Sequence, residues 1–208
     1  MKAQFEGISD GVLDLSIERI RKNIRELERF ENLINDLEEL TKLESPEMTL
    51  SLQEIEASEF LESIRRRFED SAITRNIALI INIDTKGFRG DENLLHRAVS
   101  NIISNALRHT GRNGSILITL KEGDPDNNSV YNEKPVVLTV FNTGEPISAD
   151  EAKVVFERLY RGEKARSSPG SGLGLTIAEK ITTLHNGSIR IEGVAGKGTI
   201  VEMRLFHS

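Results

Sequence analysis

The sequence predicts an α+β protein: an α/β sandwich with a mixed sheet and helices on one face, preceded by one long helix. Its first part is highly charged, with apolar residues at helical spacing. The remainder alternates helical and strand patterns, and the strand patterns occur mostly in consecutive pairs, which is typical of antiparallel neighbours. Hydrophobic residues form 38% of the 208 residues, which is enough for a core and argues against disorder.

The first predicted element is an amphipathic helix from Ser16 to Glu44. Ser16 can cap its start, and Pro46 disfavours helical geometry in the residue before it. Two interpretations are open: the helix docks on its own domain, or it packs against a partner helix in a dimer. Its apolar residues recur at spacings of three, four and seven: Ile20, Ile24, Leu27, Ile34, Leu37 and Leu40.

Residues 1–46 are therefore assigned to a helical part and residues 47–208 to a second domain. Apolar alternation predicts strands and a 3.6-residue period predicts helices in this second domain. The predicted elements are strand Leu50–Ala57, helix Glu59–Ile73, strand Ile77–Ile83, helix Asp91–Thr110, strands Ser115–Lys121 and Val136–Phe141, helices Ala149–Val155 and Leu173–Leu184, and strands Ser188–Glu192 and Thr199–Leu205.

Charge and composition exclude several functions. The net charge is -6 and the basic residues are interspersed with acidic ones, which argues against a nucleic-acid partner. The chain has no cysteine, so it can form neither a disulfide nor a thiolate metal site. No apolar stretch approaches the roughly 18 to 20 residues of a spanning helix, so we expect no membrane contact in this chain and a cytoplasmic location.

The first segment that suggests chemistry lies on the helix Asp91–Thr110. Asn101, Asn105 and Arg108 fall within about 60° of one another on a helix, opposite its apolar residues. An amide oxygen suits Mg²⁺, and a guanidinium suits a phosphate. The alternative is that these asparagines are solvated or cap the helix.

The second segment is glycine-rich and opens the next long helix: Gly170-Ser-Gly172-Leu-Gly174-Leu175. Glycines let the backbone approach a phosphate closely, and the free N–H groups of a helix start favour an anion. The alternative is a plain turn. A charged loop precedes the segment where a dinucleotide-binding fold has a strand, and no Walker-type motif is present.

Two further segments, Asn142-Thr-Gly144 and Gly196-Lys-Gly198-Thr199, are turns when taken alone. In their order along the chain, the four segments resemble the N, G1, G2 and G3 boxes of sensor histidine kinases. Residues 156–161, Phe-Glu-Arg-Leu-Tyr-Arg, resemble the F box between G1 and G2. Residues 33–44 resemble the end of the second helix of the dimerisation and histidine-phosphotransfer hairpin.

The resemblance, which covers about residues 50–206, implies the Bergerat ATP-binding fold with ATP and Mg²⁺ as ligands. It implies that Asn105 ligates Mg²⁺ with help from Asn101, that Arg108 contacts the phosphates, and that His109 lies beside the nucleotide. Arg158 and Arg161 would stabilise charge on the transferring phosphoryl group. The other implied nucleotide contacts are Asn142, Gly144, Gly170, Gly172, Leu173, Gly174, Leu175 and Thr199.

Two residues depart from the family pattern, because Asn142 replaces the G1 aspartate and Pro146 replaces a G1 glycine. The family's acceptor histidine is followed by glutamate, and none of the four histidines here is followed by one. We therefore expect ATP binding without an acceptor in this chain.

The resemblance implies a response-regulator receiver domain as partner, and a homodimer formed through the hairpin of a membrane-anchored full-length protein. The alternatives are a dimerisation or regulatory module with an impaired nucleotide pocket, and another ATPase of the same fold. A measurement of Mg²⁺-dependent ATP binding distinguishes the kinase interpretation from the impaired module.

Overall fold

A computed structural model describes residues 17–124, 134–161 and 171–206 of the chain. Within these ranges, helices and strands follow the predicted order with one addition. They are α1 (Ile17–Leu43), β1 (Gln53–Glu56), α2 (Ala57–Thr74), β2 (Ala78–Asp84), β3 (Gly87–Gly90), α3 (Glu92–His109), β4 (Ser115–Glu122), β5 (Val136–Thr143), α4 (Ala149–Val154), α5 (Gly174–Leu184), β6 (Ser188–Val194) and β7 (Gly198–Leu205).

The main sheet has five strands in the order β2-β4-β5-β7-β6. The pair β2 and β4 is parallel and the other three pairs are antiparallel, so the sheet is mixed, as predicted. Ile116, Ile118 and Leu120 alternate along β4 and are fully buried in the core, where α2, α3 and α5 contribute residues. The residues between them are more exposed. The α+β fold class predicted from the sequence is confirmed.

A second, two-stranded sheet is formed by β1 and β3. The sequence did not predict β3, and the predicted strand Leu50–Ala57 shortens to Gln53–Glu56. A four-residue strand that begins and ends with glycine offers too few side chains for a period of two to be visible. Phe88 anchors the strand to the core, since its ring is buried against Phe60 with ring centroids 5.4 Å apart.

Helix α1 docks on its own domain near its end, and most of its earlier apolar residues are exposed. Near its end, Leu40 and Leu43 are 1% and 3% exposed and belong to the core of the domain. Six apolar side chains earlier in the helix remain 41–57% exposed: Ile20, Ile24, Leu27, Phe30, Ile34 and Leu37. The predicted N-cap, Ser16, lies outside the described residues. None of the helices in the described ranges is long and apolar enough to cross a membrane.

His185 joins the end of α5 to the start of α3. Its Nδ1 lies 2.8 Å from the carbonyl oxygen of Ile181, and its Nε2 accepts a hydrogen bond of 3.0 Å from the backbone N–H of Asp91. Asp91 in turn caps α3 by accepting from the N–H of Leu94 at 3.2 Å. Both ring nitrogens are satisfied when His185 is neutral and carries its proton on Nδ1.

We expect the free energy of unfolding to fall as the pH is lowered through about 6.5, the ordinary pKa of histidine. Burial lowers the pKa of His185 in the folded chain, against smaller opposing effects of the Ile181 carbonyl and of Asp91. The unfolded chain therefore takes up the proton first, and the stability present above this pH is lost below it. Denaturant unfolding of the parent and of His185→Gln between about pH 7.5 and 5.5 measures this effect.

His185→Gln should be less stable than the parent and show a flatter pH dependence. The pKa values of His96 and His109 are lowered as well, first by loss of solvation, so part of the dependence should remain. His109→Gln is the matched comparison: the pKa of His109 is also lowered, but its side chain is exposed and makes neither of the two hydrogen bonds that fix His185, so it should contribute less. A parent whose stability does not change over this range would contradict the role of His185.

Candidate functional site

Helix α3 presents the polar face that the sequence predicted. Val99, Ile102, Ile103 and Ala106 are buried in the core. The remaining face carries half-buried Asn101 and Asn105, followed by exposed Arg108 and His109 in the last turn.

The end of α3 is held by a residue that the sequence did not indicate, Arg75. Its guanidinium donates to the carbonyl oxygens of Leu107 and of Thr110, the latter at 2.7 Å. The last carbonyls of a helix have no partner within it and attract positive charge. Arg75 therefore fixes the turn that carries Arg108 and His109. Its partners are backbone atoms more than 30 positions away, so no motif could reveal them.

The N-box and G2 segments meet at Asn101 and Gly174. A Cβ on Gly174 would lie 3.5 Å from Cγ and 3.6 Å from Oδ1 of Asn101, which is ordinary van der Waals distance, so the two residues are neighbours. In the described parts of the chain, Asn101 Nδ2 and the neighbouring Ser100 Oγ are the buried side-chain polar atoms without a hydrogen-bond partner. A buried donor without a partner is costly, and a bound acceptor such as a phosphate oxygen would satisfy the amide group.

The G1 segment lies against the end of α3. Gly144 has φ +143°, and a Cβ there would lie 2.6 Å from the carbonyl oxygen of His109. Only a residue without a side chain can lie so close to the helix end. This contact brings Asn142 and Gly144 next to the predicted phosphate face.

The G1 and G3 segments are neighbours in the sheet. Asn142 on β5 is paired with Thr199 on β7, and both are buried. Thr199 Oγ1 accepts a hydrogen bond of 3.0 Å from the N–H of Ile147. Asn142 Nδ2 donates to the carbonyl oxygen of Thr143 at 3.3 Å. The amide oxygen of Asn142 is the group of this side chain that can accept a hydrogen bond.

Several positively charged side chains lie close to one another beside α3. Loss of solvation and then the charge of Arg161 lower the pKa of Arg108. Loss of solvation and then the charge of Arg29 on α1 lower the pKa of Arg161. Arg108 also lowers the pKa of His109, after the larger effect of lost solvation. Neighbouring guanidinium groups repel one another, and an anion placed among them would relieve this repulsion.

Arg158, the other predicted transfer residue, is exposed and forms an ion pair with Glu44 just after the end of α1. Gly172 has φ +80°, and a Cβ on it would lie 3.0 Å from the carbonyl oxygen of Tyr160, so G2 and the F box are adjacent. The side chains of Leu173 and Leu175 are buried in the core, so only their backbone can face a ligand. Gly170 lies outside the described residues.

Comparisons with known proteins identify the family and the fold of the chain. A family model described as histidine kinase-, DNA gyrase B-, and HSP90-like ATPase matches residues 90–208. Sensor histidine kinase RppB from Synechocystis sp. is 32% identical over 185 residues, which cover 87% of this chain and 39% of RppB. The chain thus spans well under half the length of this relative.

Two solved structures have the same fold. The histidine kinase AdeS of Acinetobacter baumannii superposes with a TM-score of 0.75 at 18% identity, covering 100% of this chain and 93% of that one. The histidine kinase ThkA, solved in complex with the response regulator protein TrrA, gives a TM-score of 0.73 at 24% identity, covering 99% of this chain and 56% of that one. The chain therefore belongs to the histidine kinase-, DNA gyrase B- and HSP90-like ATPase family, and its relatives confirm the resemblance to the catalytic domain of sensor histidine kinases.

Proposed function

We propose that this chain binds Mg²⁺-ATP and delivers the γ-phosphoryl group to a histidine on a dimerisation hairpin. The observation that carries this proposal is the meeting of the N, G1 and G2 segments around α3. Asn101 faces Gly174 there, His109 contacts Gly144, and the amide nitrogen of Asn101 is buried without a partner. This arrangement suits a polyanion that approaches the backbone closely.

The residues present fit a magnesium ion held by the nucleotide. Asn105 offers a half-buried amide oxygen on the same face as Asn101, and Mg²⁺ takes few protein ligands beside phosphate oxygens and water. The amide nitrogen of Asn101 suits a phosphate oxygen, so Asn101 would assist Asn105 by fixing the phosphate. A bound metal ion would neutralise part of the phosphate charge.

The chain's own residues would bind, orient and stabilise the phosphates. Arg108 would hold them at the end of α3, and Arg161 lies close enough to change its pKa. Arg158 would need to leave Glu44 before it reached a phosphoryl group. Phosphoryl transfer requires mainly positioning and charge stabilisation, which guanidinium groups provide.

Adenine recognition would depend on Asn142, Thr199 and the turn at Gly198. The amide oxygen of Asn142 can accept from the adenine amino group, as the family's aspartate does, but without a full negative charge. We therefore propose weaker adenine binding and not its loss. The impaired-module alternative predicts no binding even at millimolar ATP.

The partners follow from the relatives. ThkA was solved with a response regulator, and we propose a receiver domain as the partner of the full-length protein here. The exposed apolar face of α1, from Ile20 to Leu37, would pair with the hairpin helices of a homodimer. The cytoplasmic location stays a prediction.

We expect the chain, incubated with Mg²⁺-ATP, to acquire no phosphohistidine of its own. His185 is buried and bonded at both nitrogens. His96 is half-buried, with Nε2 3.1 Å from Ser63 Oγ and its ring packed on Phe60. A hairpin supplied as a separate polypeptide with a His-Glu acceptor should be labelled, and acid-labile phosphate detects the transfer.

The Asn105→Ala variant is the negative control, because it should label nothing. Acid-labile phosphate mapped to a histidine of this chain alone would contradict the proposed division between catalytic domain and acceptor. Absence of both ATP binding and transfer would instead favour the impaired module.

A further inference from the structure

Asp36, on α1, connects this helix to two elements of the nucleotide site. Its Oδ1 accepts from Nη2 of Arg97 on α3 at 2.6 Å, and its Oδ2 accepts from the hydroxyl of Ser171 in the G2 segment. The Asp36 side chain is 15% exposed, so these contacts are screened by solvent much less than a surface pair. Glu39 supports the same guanidinium by accepting from Arg97 Nε at 2.8 Å.

Ser171 connects Asp36 to the start of α5. Its Oγ accepts from the backbone N–H of Leu173 at 3.2 Å, immediately before α5 begins at Gly174. A chain of hydrogen bonds therefore runs from the carboxylate of Asp36 through the Ser171 hydroxyl to the amide of Leu173, the residue that precedes the helix. The N–H groups at such a helix start are those that would face phosphate oxygens.

A second carboxylate holds the neighbouring F-box residues to the same helix end. Glu44 pairs with Arg158, and the backbone of Leu159 and Tyr160 contacts Gly172. The end of α1 thus contacts both the F box and the G2 segment. Leu40 and Leu43, buried on the same helix, add apolar packing at this junction.

We propose that Asp36 is a positioning residue for the phosphate cradle, the segment from Ser171 to Gly174. By holding Ser171 and Arg97 at once, it fixes the start of α5 relative to α3, which carries Asn101 and Asn105. A displacement of α1 is then transmitted to the groups that contact phosphate. The proposal rests on the proposed function for its consequence, but its structural half stands without any nucleotide.

Asp36→Asn tests the proposal in the 208-residue chain. Without nucleotide, amide hydrogen exchange should become about tenfold faster at Leu173, whose N–H is bonded to Ser171 Oγ, and at Ile177, whose N–H is bonded to the Leu173 carbonyl, because the charged acceptor that orients Ser171 is lost. Ser171→Ala should give the same increase, and the double variant should exchange no faster than either single variant. Glu38→Gln is the matched control: it removes one exposed carboxylate from the same helix and should change nothing.

Nucleotide titration supplies a second measurement, whose expected result differs from that of a general destabilisation of the fold. Asp36→Asn should weaken ATP binding several-fold while adenosine, which has no phosphate, binds as it does to the parent. Unchanged exchange at Leu173 and Ile177 in Asp36→Asn would overturn the positioning role, and so would equal weakening of ATP and adenosine. If the parent binds neither ligand, the proposed function fails, while the exchange measurement still decides the role of Asp36.

Discussion

Asn105→Ala should weaken Mg²⁺-dependent ATP binding at least about 100-fold while leaving the fold intact. Asn105 is half-buried on the polar face of α3, and the residues that anchor this helix in the core lie on its other side. The substitution therefore removes an amide oxygen and leaves the core contacts unchanged. Alanine also favours helix more than asparagine does, so stability should not fall.

Titration with ATP in the presence and absence of Mg²⁺ measures the effect, and far-UV circular dichroism checks the helix content. Asn93→Ala is the matched control, since Asn93 is an exposed asparagine in the first turn of the same helix. It should bind Mg²⁺-ATP like the parent. An Asn105→Ala protein with parental affinity would remove this residue from the site.

The local elements of the fold were predictable because their patterns are long and regular. Helix α3 has a cap at Asp91, an apolar face and a polar face, and its predicted limits differ from the observed ones by one residue at each end. The strands β4 and β5 were found for the same reason. The antiparallel pairing of β4 with β5 agrees with the prediction that consecutive strands are neighbours. The parallel contact between β2 and β4 depends on tertiary packing, which no local pattern encodes.

The site was predictable only as a set of motifs. The sequence placed Asn101, Asn105 and Arg108 on one face, but it gave no sign that Arg75 caps the end of that helix. It also gave no sign that Asp36 reaches Ser171, 135 positions away. Such contacts join single residues across the fold without any spacing to mark them, so they appear only when the elements are packed together.

Gly198→Ala should destabilise the chain by about 3 kcal/mol or more and remove nucleotide binding with it. Gly198 has φ +153°, a backbone conformation in which residues other than glycine are strained. A Cβ there would lie 1.9 Å from the carbonyl oxygen of Asn142. The clash involves the backbone of β5, which is paired with two other strands, so it cannot be relieved by rotating a side chain.

Two other glycines separate the contributions of strain and collision. Gly196 has φ +67° but no atom within 4 Å of a Cβ, so Gly196→Ala should cost only about 1 kcal/mol, the penalty of left-handed backbone. Gly111 has neither a positive φ nor a close neighbour, so Gly111→Ala should be neutral or slightly stabilising. Denaturant unfolding should give Gly198→Ala a much lower free energy of unfolding than Gly196→Ala. Equal losses for these two would mean that β5 and β7 can move apart at the G1 and G3 segments, and the close approach of Gly198 to Asn142 would then not be needed for the fold.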